Sequence, residues 1–68
     1  MNEYLLDALV KKLEGEIAVH KANIQVYMDN PAGIGEHPQI LQAIESEVVA
    51  LAEAIEKRTT IKVDLLGE

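Results

Sequence analysis

The sequence predicts an all-α fold, an antiparallel helical hairpin of two long helices with an extended C-terminal tail, self-associating into a helical bundle. Three observations predict it. Two segments carry apolar residues at heptad spacing, and a dense run of helix breakers separates them. The chain has only 68 residues, near the lower limit for folding on a private core, so partner chains are the expected source of further buried area.

In the first segment Leu6, Val10, Leu13, Ile17, His20, Ile24 and Tyr27 alternate steps of 4 and 3 residues without a break. That spacing keeps all seven on one helical face. A helix over residues 2–29 follows, roughly 40 Å long at a rise of 1.5 Å per residue. Asn2 is placed to cap it, and Glu3 falls in its positive first turn. Gly15 sits mid-helix at a cost of about 1 kcal/mol relative to Ala. Close approach of another helix and an incidental surface position both account for it.

The turn occupies residues 30–37, where Asn30, Pro31, Gly33, Gly35, Glu36, His37 and Pro38 crowd together. Pro31 has no backbone donor and drives Asn30 out of the α region, which ends the first helix. Gly33 and Gly35 supply the backbone freedom for a reversal. Pro38 suits the first turn of a new helix, where the missing N–H costs nothing.

The second helix is expected over residues 38–58, with Leu41, Ile44, Val48, Leu51 and Ile55 as its seam. Ala43, Ala50, Ala52 and Ala54 raise helix propensity and permit tight packing. From Thr59 onward Ile61, Val63 and Leu65 alternate with polar residues in a β-branched stretch, which reads as a strand-like tail over 59–68. Continuation of the second helix is the other fit. All four elements form one domain, 1–68.

Apolar positions outnumber what one hairpin covers. The expected interface comprises Leu6, Val10, Leu13, Ile17 and Ile24 of the first helix, Ile44, Val48, Leu51 and Ile55 of the second, and Ile61, Val63 and Leu65 of the tail. The expected partner is a further copy of the chain.

Composition narrows the function classes. Twelve acidic against 6 basic residues give a net charge of −6, and the basic residues form no stripe. Phosphate backbones repel such a chain, so no nucleic-acid partner is expected. No apolar run approaches the roughly 18 residues that cross a bilayer, and no basic-then-apolar leader pattern opens the chain, so no membrane partner is expected. With no cysteine, neither a disulfide nor a thiolate metal site is expected.

Glu36 and His37 are the one carboxylate–imidazole pair in a glycine-rich loop. Metal or acid–base chemistry would need further ligands, and no HExxH or paired-histidine spacing supplies them. Capping of the helix that Pro38 opens is the preferred role. His20, on the first seam, is a register device or a pH switch at an oligomer interface, or a partly exposed side chain reaching water or Glu16, the preferred reading. The pairs Glu14/Glu16 and Glu45/Glu47 read as solvated helix faces, because i,i+2 spacing points the side chains apart. No triad, Walker loop or nucleotide fingerprint is present, so the chain reads as a non-enzyme with no catalytic residue, metal or cofactor.

The stretch Asn30-Pro31-Ala32-Gly33-Ile34-Gly35-Glu36-His37-Pro38-Gln39-Ile40-Leu41 resembles a turn that recurs in small helical-hairpin proteins of tailed bacteriophages. The likeness spans roughly residues 22 to 57. Ala32 and Gln39 depart from that pattern, and so does the threonine-rich tail. No activity comes with the resemblance, so no catalytic residue is carried over. It implies a phage origin and a place in the virion or the host cytoplasm. The expected function is a structural or interaction protein, such as a capsid decoration or cement subunit that contacts a capsid or other virion protein. The other expectation is an acidic regulatory adaptor or inhibitor that masks a basic protein surface.

Overall fold

The computed structural model describes residues 3–29 and 37–68. Helix α1 runs Glu3–Asp29 and helix α2 runs His37–Thr59, followed without a gap by a π-helical segment, Thr60–Leu65. The helices lie side by side and antiparallel, in a rod of 52 × 15 × 14 Å. The fold is the all-α helical hairpin that the heptad spacing predicts. The turn residues Asn30, Pro31, Gly33, Gly35 and Glu36 lie outside the described residues, while His37 and Pro38 belong to the first turn of α2.

On α1 the buried residues are Val10, Leu13 and Ile17, with Leu6, His20, Ile24 and Tyr27 half-buried. The seam read from the spacing is the seam that packs. The main core joins Val10, Leu13 and Ile17 to Ala54 and Ile61, with Leu6, Leu51, Ile55 and Leu66 packed around them. This core lies at the end of the rod away from the turn, where Asp7 and Val10 face Leu66 and Glu68. Ile40, buried near the start of α2, stands apart from it.

Helix α2 meets α1 along a face one residue out of step with the expected one. Ile40, Ile44, Glu47, Leu51, Ala54, Arg58 and Ile61 are buried or half-buried. Leu41 is 66% exposed and Val48 47%. Because Leu41, Val48 and Ile55 give way to Ile40, Glu47 and Ala54 while Ile44 and Leu51 stay, the packing face is turned by about 60°. The rotated face carries less apolar surface. It gives Ala54, only 3% exposed, a place among the large side chains of α1. It also brings the Glu47 carboxylate against two donors on α1.

The tail is helical rather than extended. Among the described residues there is no strand for it to pair with, so its backbone groups are satisfied inside the segment. Had α geometry continued, Leu65 would have followed Ile61 on the seam. The π turn adds one residue, so Leu66 takes that place against the core, its N–H bonded to the Ile61 carbonyl at 2.8 Å. Val63 and Leu65 are left 53% and 60% exposed. Gly67, at φ 74°, then reverses the chain, and the Glu68 N–H bonds to the Lys62 carbonyl at 2.7 Å. This is a glycine-dependent helix end widened by one residue.

Leu13 is 3% exposed at the centre of the core. Leu13→Ala should therefore cost about 2–5 kcal/mol. Leu41→Ala, on the outer face, should stay within about 0.5 kcal/mol. Urea unfolding followed by circular dichroism at one low protein concentration compares the two; equal losses would mean that α2 packs through Leu41 after all.

Candidate interaction surface

The middle of the rod holds a polar layer. Glu47 projects from the α2 seam, and both its oxygens are used. His20 Nδ1 donates to Oε2 at 2.7 Å, and Asn23 Nδ2 donates to Oε1 at 2.7 Å. The His20 and Glu47 side chains retain 23% and 19% of their accessible surface, so the layer is half-buried. His20 reaches across to α2 rather than along α1 to Glu16. Glu16 is taken by Lys12, whose Nζ lies 2.7 Å from Oε2. The hydrogen bond from His20, then that from Asn23, holds the Glu47 carboxyl below its ordinary value of 4.5, against burial, which raises it. Glu47 is thus a pairing residue and not part of a solvated acidic face.

The residues expected at an interface separate into three groups. Val10, Leu13, Ile17 and Ile61 are buried inside the hairpin. Leu6, Ile24, Ile44, Leu51 and Ile55 line the edges of the same seam. Val48, Val63 and Leu65 stay on the outer surface. The first group therefore holds the hairpin together, and only the last remains fully open to a partner.

Other apolar residues beyond the seams also face outward, among them Leu5, Leu9 and Val49, which the sequence already leaves in need of cover. Tyr4, Leu5, Leu9, Val19, Val26, Met28 and Val49 are each between 41% and 67% exposed. On α1, Leu5 and Val19 lie on a flank well away from the core seam. On α2, Leu41 and Val48 share a flank with half-buried Ile55. The signal was available in the sequence. Both helices carry more apolar residues than one seam can use, and the surplus is itself spaced at heptad intervals.

An open groove of about 490 Å³ runs along one side of the core between Lys12 and Glu16 of α1 and Glu53 and Lys57 of α2, floored by Leu9, Leu13 and Ile61. Its rim carries both signs of charge, and Leu13 and Ile61 of its floor belong to the core. Among the described residues no group of three or more His, Asp or Glu stands together to hold a metal ion. No described helix is long and apolar enough to cross a membrane. No family model, curated protein or solved structure matches the chain.

The polar layer sets an acid limit. A group whose folded pKa lies below its unfolded value stabilises the fold in full above that unfolded value, and the contribution disappears as pH falls through the folded one. Glu47 should therefore contribute above pH 4.5 and cease to do so under more acid conditions. In Glu47→Gln the fall in unfolding midpoint between neutral and acid pH should be shallower than in the parent. An unchanged acid limb would assign it to other carboxylates.

Proposed function

We propose that this chain is a non-enzymatic interaction protein, an acidic helical hairpin that works as a self-associating building block. One observation carries the reading. Among the described residues, eleven large apolar side chains are exposed, against six apolar residues that are buried. Scattered apolar residues are ordinary on a protein surface, but rows of them on two helix flanks mark an association surface. A two-helix rod gives each helix a single intramolecular neighbour, so further neighbours are the available source of additional buried area.

The resemblance of the Asn30–Leu41 stretch gives the building block its most concrete form, a small component of a phage particle such as a capsid decoration or cement subunit. The expected setting is the virion, or the host cytoplasm before assembly. The net charge of −6, with exposed Glu45, Glu53 and Glu56 on α2, favours the second reading, an inhibitor that masks a basic protein surface.

Sedimentation equilibrium of the purified chain at micromolar concentration should show dimers or larger species. A monomer of 7.5 kDa that persists at high concentration would overturn the self-association. Quantitative mass spectrometry of purified particles of the source phage should find the chain at a fixed copy number per capsid. Its absence from particles, with the chain recovered on a basic protein from infected cells, would favour the inhibitor.

A further inference from the structure

Helix α1 carries two seams, and the hairpin uses one. The second consists of Leu5, Ala8, Lys12, Gly15, Val19 and Ala22, again alternating steps of 3 and 4 residues. It lies roughly 140° around the helix from the core seam, so it faces away from α2. All six residues are exposed, Leu5 at 61% and Val19 at 56%. From this arrangement we propose that the second seam of α1 closes antiparallel on the same seam of a second copy. The proposal rests on the self-association argued above and names its surface and register.

Three features select a second copy as the occupant. The first is size. Along the seam the residues alternate large and small: Leu5, Ala8, Lys12, Gly15, Val19, Ala22. In an antiparallel coiled coil each layer pairs one seam position with the other kind on its neighbour. Read in reverse against itself, the seam sets Leu5 opposite Ala22, Ala8 opposite Val19, and Lys12 opposite Gly15. Every layer then holds one large and one small residue, and the two-fold axis passes between Lys12 and Gly15. A symmetric dimer interface must be self-complementary in this way.

The second is charge. Lys12 is the one charged residue in the seam, and its Nζ already pairs with Glu16 of its own helix at 2.7 Å. In the antiparallel register Glu16 of the second copy flanks the Lys12 position. Two lysines and two glutamates then alternate across the axis, and no charge is left without a counter-charge. A neutral apolar partner would leave Lys12 with the rim pair alone.

The third is Gly15. A glycine inside a 27-residue helix weakens that helix, and the hairpin gives no reason for it. A Cβ built there meets nothing within 4 Å. Close approach of a second α1, with axes near the lower end of the usual 8–10 Å range, supplies the reason. The resulting assembly is a row, α2–α1–α1–α2, with the acidic α2 helices outermost. That is a flat layer and not a closed bundle.

The chain has no cysteine, so introduced thiols report without background. Ala8→Cys and Val19→Cys, oxidised separately, should remain uncrosslinked, because each residue lies about 16 Å along the axis from its own copy in this register. Mixed, they should give a disulfide-linked heterodimer. Gly15→Gln replaces the glycine with a better helix former, so helicity should hold or rise while the dissociation constant increases at least tenfold. Crosslinking of either single variant with itself, or a Gly15→Gln chain that associates like the parent, would overturn the proposed register. If the parent sediments as an oligomer while the mixed thiols stay apart, this surface is wrong and the self-association stands. A parent that remains monomeric removes both.

Discussion

The Glu47 carboxylate, bound to His20 and Asn23 across the helix pair, is the interaction on which the arrangement of this rod depends. Apolar seams fix which face of a helix is inward, but they slide. A leucine is nearly as content one turn up as in place. A carboxylate half-removed from water is not, because each oxygen needs its donor and the donors stand at single positions. Glu47 therefore pins α2 along α1 and also pins its rotation, since only the face through Ile40, Glu47, Ala54 and Ile61 brings that carboxylate to His20. Leu41 and Val48 of the more apolar row are turned outward as a result, and Ile55 is left at the edge of the core. One polar contact thus decides both what the core contains and what the surface offers.

How much of this could be read beforehand follows from the same competition. The α1 seam was legible in full, because its heptad row is the most apolar row on that helix. The fold class was legible too, from the breakers between two periodic segments. On α2 two rows compete, and counting apolar residues selects the wrong one. The winning row includes Glu47 and Arg58, and its tightest position is an alanine, whose value lies in letting helices approach and not in its own surface. Only the pairing of Glu47 with residues 24 and 27 positions away identifies it, and a sequence pattern of local period does not contain that pairing.

The tail shows a different limit. Thr59 to Leu65 has the alternation of a strand, but a strand needs an edge to pair with, and the described residues of the helical hairpin present none. Helix continuation was the simpler outcome, with the difficulty that Leu65 and Leu66 compete for one core position. A π turn resolves the competition in favour of Leu66. The expected interface therefore divides: Ile61 goes inward, while Val63 and Leu65 go outward. Proposals about what those outer residues touch concern partners, whereas those about the buried ones concern stability, and the sequence had run the two together.

The position of the core near residues 3 and 68, far from the turn, has a mechanical consequence. Here Val10, Leu13, Ile61 and Leu66 gather toward the end of the rod opposite the turn. Tension drawn between those ends meets the best-packed layer first and must break it before reaching the polar layer behind. Load applied there is resisted first by apolar packing and only afterwards by the Glu47 contacts.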